Sequence, residues 1–504
     1  MSGGSAMTCN RNTSARLAVI FLVLVGLFLF RNSWLPQTNG YRSHIPDGKA
    51  ERPKPAHAPS PVVPPTRPVE EGKDEQAKVH TTIPTAIPTS TASTFYEECA
   101  KVPGADNILV LLKTGATEVY QKLPTHFVTT FACVPHFMIF SDLEQTFANY
   151  PIHDAIADIS PSFRDHHDDF ELYRKLQTYQ QEGQDMSKLK GDNGWNLDKW
   201  KFLPMLHKAF ESAGPEIEWF LMMEADTSVS WTNLLQWLKH LDPKKPYYMG
   251  AQNVIGGTTF AHGGSGVVVS RKTADLMREH RQSIGKQAYD EKWEELTAES
   301  CCGDEIIARA LMEVDVPLTP AWPMIQGETV ATLDWTENHW CTPSVTWHHV
   351  SPLEVDTMWQ FQSSWVDAKG WKTPYLYRDV FEHFVSRHVS VNRTSWNNLS
   401  SDRKFVSASL ASHDDEDYYQ LKDYEQRAVE SADACAEACL LKRDYECVQW
   451  MWTPGRCHLG KDIRFGKSDE TQDDHWTAGW LQDRLVAFKE HFEGCKVKWH
   501  GAGA

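Results

Sequence analysis

Short apolar runs that end in polar residues recur along the middle of the chain, and they restrict its fold more than any other feature. The runs are "NILVLLKTG" (residues 107–115), "HFMIFSD" (136–142) and "EIEWFLMMEAD" (216–226). Between them lie segments such as "DKWKFLPMLHKAFESAG" (198–214), which has apolar residues at helical spacing and ends in glycine. Buried strands that alternate with helices predict an α/β domain with a mainly parallel sheet.

The polar residues that close these runs are candidates for a ligand site. In open α/β sheets, ligands bind at the carboxyl ends of the strands. We therefore expect the ends of the three runs to gather at one edge of the sheet. The residues concerned are Thr114, Gly115, Ser141, Asp142, Glu224 and Asp226.

Glu224 and Asp226 place two negative charges one residue apart at the end of an apolar strand. Two carboxylates in this position repel each other and lose hydration. A divalent cation removes both penalties, and an all-oxygen site suits Mn²⁺ or Mg²⁺. Such a cation would bridge a diphosphate and neutralise the charge that develops as the diphosphate leaves. The alternative is a strand that ends at the surface, where both acids are simply solvated.

Four segments together resemble glycosyltransferase family 31, the group of Fringe-like proteins and core 1 β1,3-galactosyltransferases. "WFLMMEADTSV" is similar to the family's strand and acidic metal motif, and "FAHGGSGVVVS" to its glycine loop. "CCGDEIIARAL" is similar to its acidic helix start, and "VTWHHVSP" to its late histidine motif. The segments occur in the family's order, and the resemblance covers roughly Ile108 to Met358. It implies a GT-A (Rossmann-like) fold, a UDP-sugar donor, Mn²⁺ and inversion at the anomeric carbon.

The resemblance also implies roles for single residues. Asp226 and His348 fall on metal ligands and Glu224 on the first acid of the motif, while His349 is expected to pack or to form hydrogen bonds. Ala225 stands where the family usually has Asp. The residues expected to bind the donor are Thr114, Gly115, Ser141, Asp142 and Glu224, and those of a loop that approaches the donor or acceptor sugar are Gly263, Gly264 and Gly266.

Asp304 and Glu305 are the candidates for the catalytic base. An inverting transfer needs a carboxylate that removes the proton of the acceptor hydroxyl as its oxygen attacks the anomeric carbon. The resemblance to the family's Glu-Asp-Val places the base on Glu305, with Asp304 as the alternative. Two acids at the start of a helix can also simply complement the helix dipole.

The N-terminal part of the chain predicts a membrane anchor and a stem. "LAVIFLVLVGLFLF" (17–30) contains no polar side chain, and no small-x-small cleavage site follows it. With its flanks it predicts a signal anchor over residues 17–35, after a cytoplasmic tail over 1–16. A cleaved signal peptide is the alternative. Residues 36–94 are rich in Pro, Ser and Thr and predict a disordered stem. We therefore expect a type II protein of the Golgi or ER–Golgi membrane, with a catalytic domain (95–410) in the lumen.

Cysteine usage and glycosylation signals fit an oxidising lumen. Only Cys9 of the 11 cysteines precedes the predicted anchor. Asn392 and Asn398 each begin an Asn-x-Ser/Thr sequon, which predicts glycosylation. Cys301 and Cys302 lack the spacing of a zinc site, so we expect them to pair with other cysteines of the lumen.

Residues 414–498 predict a second, cysteine-dense module. Cys435 and Cys439 lie one helical turn apart and so point the same way, toward Cys447 and Cys457. Four cysteines could bind zinc, but an oxidising lumen favours disulfides. The stretch resembles a PAN/apple module, although it is shorter. That resemblance implies an α+β module with the pairs Cys435–Cys457 and Cys439–Cys447, which binds protein or carbohydrate and helps to hold an acceptor glycoprotein.

These features predict an inverting β1,3-glycosyltransferase that moves galactose from a UDP-sugar to a glycoprotein or glycan, in the manner of an N-acetylgalactosaminide β1,3-galactosyltransferase. The same fold could transfer N-acetylglucosamine or another hexose. The rival from another class is a non-catalytic, membrane-anchored, glycan-binding protein, which Ala225 favours; the retained Asp226, Asp304, Glu305 and His348 favour the enzyme. A net charge of −17 argues against nucleic-acid binding. The oligomeric state does not follow from the sequence.

Overall fold

The computed structural model describes residues 94–191, 193–442, 446–469 and 475–501. Up to residue 347 its strands are β1 (Ile108–Lys113), β2 (His136–Ser141), β3 (Gln145–Phe147), β4 (Tyr150–Asp154), β5 (Trp219–Glu224), β6 (Ser228–Val229), β7 (Tyr248–Gly250), β8 (Gln252–Ile255), β9 (Thr258–Ala261), β10 (Val267–Ser270), β11 (Thr319–Pro320) and β12 (Thr346–Trp347). The helices up to residue 384 are α1 (Thr94–Glu98), α2 (Val119–Val128), α3 (Thr130–Cys133), α4 (Pro161–Arg164), α5 (Glu171–Gln181), α6 (Asn193–Asp198), α7 (Phe202–Ser212), α8 (Trp231–Leu238), α9 (Arg271–Ile284), α10 (Lys286–Glu299), α11 (Gly303–Met312), α12 (Glu337–Trp340), α13 (Pro352–Lys369) and α14 (Tyr377–Phe384).

Eight of these strands form the main sheet, in the order β11-β7-β10-β5-β1-β2-β4-β3. Its centre, β5-β1-β2-β4, is parallel, whereas β10 runs antiparallel between β5 and β7. The strands expected from the apolar runs are all present, and this confirms the α/β prediction. The sheet is mixed rather than purely parallel because β10, between β5 and β7, and β3, at the edge beside β4, run in the opposite direction. This arrangement fits a Rossmann-like domain.

Both faces of the main sheet are buried, which explains why its strands are almost continuously apolar. Leu109 and Leu111 of β1 belong to one core cluster, which includes side chains of α7, α9 and α11. Val110 and Leu112 belong to a second cluster, which includes side chains of α2, α8 and α13. Successive side chains of a strand point to opposite faces, so the two clusters are the two sides of the sheet.

A second sheet forms the C-terminal module. Its elements, with short neighbours, are β13 (Arg393–Thr394), β14 (Trp396–Asn397), β15 (Arg403–Val406), β16 (Gln449–Thr453), β17 (Arg456–Gly460), β18 (Lys467–Ser468), β19 (Thr477–Trp480), α15 (Asp423–Arg427), α16 (Ala432–Leu441) and α17 (Gln482–His491). The strand order is β13-β19-β16-β17-β15. Because β13 and β15 pair with this sheet, the module begins near residue 393, whereas the predicted boundary at 410 left both strands in the catalytic domain.

The disulfides of the module are those that the family resemblance implied. Cys435–Cys457 joins α16 to β17, and Cys439–Cys447 joins α16 to the segment before β16. Cys301 and Cys302 differ from the prediction, because they pair with each other. The other described cysteines form Cys99–Cys133 and Cys341–Cys495, so no separate partner remains for either of them among the described residues.

The C-terminal module is built onto the α/β domain. Cys341–Cys495 links the two covalently, and a backbone bridge joins Trp335 to Ile463. A shared core cluster contains Trp335, Trp347 and Trp480, so these tryptophans pack as core residues. All described residues lie in one compact unit.

The two predicted glycosylation sequons differ in accessibility. Asn392 is exposed. Asn398 is fully buried, and its side-chain amide donates to the carbonyl oxygen of Trp450 at 3.0 Å. The nitrogen that would carry a glycan is therefore engaged in the core, which corrects the prediction for Asn398 and leaves Asn392 as the accessible sequon.

The predicted tail, anchor and stem lie almost entirely outside the described residues. Over the described ranges, every helix is too short or too polar to cross a bilayer.

Candidate active site

The ends of the central strands meet at one edge of the main sheet, as the sequence predicts. Lys113, the last residue of β1, is paired with Phe140 of β2 and with Glu224 of β5. The polar residues that close the three runs follow directly after these positions. The six residues brought to this edge are Thr114, Gly115, Ser141, Asp142, Glu224 and Asp226.

The carboxylate of Asp142 holds the turn after β1. It accepts a hydrogen bond from the backbone N–H of Ala116 at 2.6 Å, and its other oxygen lies 3.4 Å from Nζ of Lys201. The same ammonium donates to the carbonyl oxygen of Thr114 at 3.0 Å. Asp142 and Lys201 are both buried. Asp142 and Lys201 therefore shape the predicted donor site by fixing the backbone at Ala116 and Thr114.

The side chain of Thr114 has a hydroxyl oxygen without a hydrogen-bond partner at this edge of the described chain. Its Oγ1 is buried and has no hydrogen-bond partner among the described residues. The hydroxyl of Ser141, in contrast, donates to the carbonyl oxygen of Leu143 at 2.8 Å. Of these two predicted donor residues, Thr114 is the one with unsatisfied hydrogen-bonding capacity for a ligand.

A short two-stranded ribbon carries His348 to the acidic end of β5. β12 pairs antiparallel with β6, so His348 follows the ribbon directly. The Nε2 atom of His348 lies 3.4 Å from Oδ1 of Asp226 and 3.7 Å from Oε2 of Glu224. The structure thus brings together the three residues that the resemblance assigned to the metal.

His349 joins this group, although the sequence suggested only packing or hydrogen bonding for it. Asp226, His348 and His349 each present a ligand atom, and these atoms lie within 4.8 Å of one another. We call these three residues the candidate metal cluster. His349 has a φ of 59°, a left-handed conformation that costs free energy in a residue other than glycine and often marks functional sites. Glu224, which was predicted as a metal ligand, is not one of the three, and its Oε1 lies 3.0 Å from Nζ of Lys113.

The cluster is suited to a divalent ion. His348 is buried, and neither of its ring nitrogens has a hydrogen-bond partner among the described residues. Burial opposes the charged form of His348, but the carboxylates of Asp226 and Glu224 raise its pKa to about 9. Burial also opposes the charge of Asp226, but His348 and Lys122 lower the pKa of Asp226 well below its usual range. One carboxylate with two imidazoles is a donor set that binds first-row divalent metals, Mn²⁺ among them.

The glycine loop supports the cluster by letting the backbone lie against it. A Cβ atom on Gly264 would lie 2.2 Å from Cε1 of His348, and one on Gly263 would lie 2.5 Å from the ring of Phe202. Gly266 has a φ of 101°, which side chains rarely adopt. The three predicted loop glycines therefore lie at the site, and Gly264 packs against His348, a candidate metal ligand.

Two lysines balance the acids of this edge, the buried Lys113 and the half-buried Lys122, and neither was predicted from the sequence. Lys113 forms ion pairs with Asp198 and Glu224. Burial opposes ionisation of Glu224, but Lys113 and His348 lower its pKa below its usual range. Lys122 lies 3.2 Å from Oδ2 of Asp226. The only sequence signal was that Lys113 directly precedes Thr-Gly at the end of β1.

Ala225, the departure from the acidic motif, faces the core. Its side chain is buried in the cluster on one side of the main sheet. Its carbonyl oxygen lies 2.8 Å from Nε2 of the buried His126, and its N–H donates to the carbonyl oxygen of Lys113. Backbone contacts thus fix this position between Glu224 and Asp226 without a third acid.

Asp304 and Glu305, the two candidates for the catalytic base, lie in the first turn of α11 and have different hydrogen-bond partners. Asp304 accepts a hydrogen bond from the N–H of Gly263 at 2.9 Å, and burial raises its pKa, with Glu224 contributing in the same direction. Glu305 accepts from the hydroxyls of Thr258 and Ser300 at 3.1 and 2.9 Å. Asp304 is therefore the acid that contacts the glycine loop of the site.

Comparison with known proteins supports a family for the central part of the chain. A family model described as Fringe-like matches residues 138–322. The matched segment contains Asp226, Asp304 and the glycine loop, whereas His348 and the C-terminal module lie beyond it. No curated protein matches the chain. The match supports a Fringe-like glycosyltransferase domain within residues 138–322.

Proposed function

We propose that the protein is an inverting, metal-dependent β1,3-glycosyltransferase that uses a UDP-sugar. The observation that carries the proposal is the candidate metal cluster at the end of β5. Its Asp226 lies within the Fringe-like segment, and its two histidines lie beyond that segment. The carboxylate of Asp304, which accepts a hydrogen bond from the glycine loop, completes the set of groups that such a transfer needs. The proposed donor sugar is galactose, with N-acetylglucosamine or another hexose as alternatives.

Asp226, His348 and His349 would hold the metal. A bound Mn²⁺ ion would supply positive charge to the diphosphate of the donor and to the UDP that leaves. Lys122, within 3.2 Å of Asp226, keeps that carboxylate ionised and oriented. The donor would occupy the strand edge, where the hydroxyl of Thr114 lacks a partner.

Asp304 is the base that the geometry favours, although the family resemblance pointed to Glu305. Its carboxylate is held by the N–H of Gly263, and its raised pKa makes it a stronger proton acceptor. It would take the proton of the acceptor hydroxyl as the oxygen attacks the anomeric carbon and the bond to UDP breaks. Glu305, which is held by Thr258 and Ser300, would position the start of α11.

The acceptor is proposed to be a glycoprotein or glycan. From its N-terminal sequence, the protein is proposed to be a single-pass type II protein of the Golgi or ER–Golgi membrane with the catalytic domain in the lumen. The exposed sequon at Asn392 and the oxidised cysteines are consistent with this location.

Hydrolysis of a panel of UDP-sugars by the detergent-solubilised full chain, with Mn²⁺, tests the proposed function. We expect UDP release from at least one donor, highest with UDP-galactose. Asp226→Asn should abolish this release, and Asp158→Asn, an exposed aspartate, should leave it unchanged. No UDP release from any donor, together with binding of glycans, would instead support the non-catalytic rival.

A further inference from the structure

A cavity lies between the catalytic domain and the C-terminal module. It has a volume of about 1390 Å³. One wall comes from the catalytic domain, with Asn253, His262 and Trp322, and the other from the module, with Lys461, Arg484 and His491. We call this cavity the interdomain groove. Its volume exceeds the roughly 300–1,000 Å³ of ordinary small-molecule pockets, so an extended ligand fits it.

The groove reaches the candidate metal cluster. His349 lines it, and the ring of His262, another lining residue, lies 5.4 Å from the ring of His348. Thr114 and Asp142, which belong to the donor edge, are not among its described lining residues. A ligand in the groove would therefore lie beside the candidate metal cluster and leave the donor edge free.

The walls of the groove combine an exposed aromatic face with short polar side chains. Trp322 is 44% exposed, although tryptophan is usually buried, and its ring packs edge-on against His339 at 5.1 Å. Asn253, Glu328 and Glu337 are exposed along the same groove. Aromatic rings pack against the apolar faces of sugars, and amide and carboxylate groups bind sugar hydroxyls. This combination favours a neutral oligosaccharide over a peptide strand or a phosphorylated ligand.

The module wall is fixed in place rather than loosely attached. Cys341–Cys495 joins it to the catalytic domain, Arg464 forms an ion pair with Asp334, and Phe488 packs on Trp340 at 5.0 Å between ring centres. A wall held at several points keeps the shape of the groove without a ligand, which reduces the entropic cost of binding.

We infer that the interdomain groove binds a neutral oligosaccharide acceptor, with Trp322 as its stacking platform and the C-terminal module as its second wall. The inference rests on the proposed glycosyltransferase function and adds the class of acceptor and the role of the module. Acceptor binding and donor hydrolysis can be separated, because Trp322 and His491 line the groove and belong neither to the candidate metal cluster nor to the donor edge.

The test measures binding of the full chain to three sets of probes: tagged neutral oligosaccharides of two to six hexoses, the same glycans on a peptide, and the bare peptide. We expect binding to both glycan sets and not to the bare peptide. Trp322→Ala and His491→Ala should each weaken glycan binding about tenfold, as loss of an aromatic or polar contact does. Both variants should release UDP from the donor at the wild-type rate in the absence of acceptor.

Matched variants separate binding from folding. Trp322→Tyr retains an aromatic ring and should retain most of the binding, and Tyr419→Ala removes an aromatic side chain that is 75% exposed outside the groove. Binding of the bare peptide only, or wild-type glycan binding by both Trp322→Ala and His491→Ala, would overturn the inference. If the wild-type protein binds glycans through Trp322 but releases no UDP from any donor, the proposed function fails and the oligosaccharide groove stands.

Discussion

The Nε2 atom of His348 lies 3.4 Å from Oδ1 of Asp226, although the two residues are far apart in the sequence. Asp226 precedes β6, His348 follows β12, and these two strands pair antiparallel. Their contact depends on the pairing of two strands of two residues each, which places the late histidine against the acidic end of β5. His349 lies beside them and turns the pair into a cluster of three. The proposed chemistry depends on this arrangement.

Replacement of His349 by Ala should weaken binding of Mn²⁺, because it removes one of three ligand atoms from the cluster. Titration of the protein with Mn²⁺, followed by electron paramagnetic resonance of the free ion, measures the affinity. His413→Ala, a change at a histidine whose side chain is 83% exposed, serves as the control. Unchanged affinity in the His349→Ala protein would return His349 to the packing role that the sequence suggested.

Replacement of Gly264 by Ala should also weaken Mn²⁺ binding, by roughly 10–100-fold, the size typical of damage to groups that orient ligands. The added methyl group would meet the His348 ring at 2.2 Å and push it from its position. Gly191→Ala is the matched control, because a Cβ atom there has no neighbour within 4 Å. Equal Mn²⁺ affinity in the two variants would show that His348 moves freely or is not a ligand.

Replacement of Asp304 by Asn should lower the rate of sugar transfer by about 10²–10⁴-fold, since it removes the proton acceptor. The hydrogen bond from Gly263 can persist to the amide oxygen, so binding of the UDP-sugar should survive. Glu305→Gln provides the paired comparison and should cost less. A larger loss for Glu305→Gln than for Asp304→Asn would restore the assignment implied by the family resemblance.

The stability of the protein should fall below pH 6.5, and His207 should account for part of this loss. Burial, with smaller contributions from Arg281 and Lys286, lowers the pKa of His207 to about 3 from an ordinary value of 6.5. Between these pH values the unfolded chain binds a proton that the folded chain does not, so acidification favours unfolding. At pH 5 the contribution is about 2 kcal/mol.

Urea unfolding of wild type and His207→Gln at pH 7 and pH 5 measures this contribution. The difference in unfolding free energy between the two pH values should shrink by about 2 kcal/mol in the variant. Part of the pH dependence should remain, because burial also lowers the pKa of His339 and of His458 to about 4. Identical pH dependence in both proteins would show that His207 takes up its proton in the folded chain over the same pH range as in the unfolded chain.

Much of the central fold could be predicted from the sequence, because its signals are local. The apolar run of β5 and the acids after it predicted a buried strand that ends at a polar edge, and the structure has both. The different roles of two adjacent residues are harder to predict. Nothing in the local sequence "TWHH" (346–349) distinguishes His348 from His349, since their roles depend on the backbone conformation of His349, whose φ is 59°.

Features that depend on long-range register could not be predicted. Lys113 and Lys122 lie in separate elements, and their contacts with Glu224 and Asp226 arise only when β1 pairs with β5. The start of the C-terminal module was missed because β13 has only two residues, too few for a recognisable alternation of side chains.

Metal dependence of UDP-sugar hydrolysis is the most direct test of the central claim, that Asp226, His348 and His349 form the metal site of a glycosyltransferase. UDP release by the full chain should stop in excess chelator and return when Mn²⁺ is restored. Asp226→Asn should stay inactive at Mn²⁺ concentrations that saturate the wild type. Full UDP release in excess chelator, or wild-type activity of Asp226→Asn, would contradict the account, because the cluster would then take no part in departure of the diphosphate.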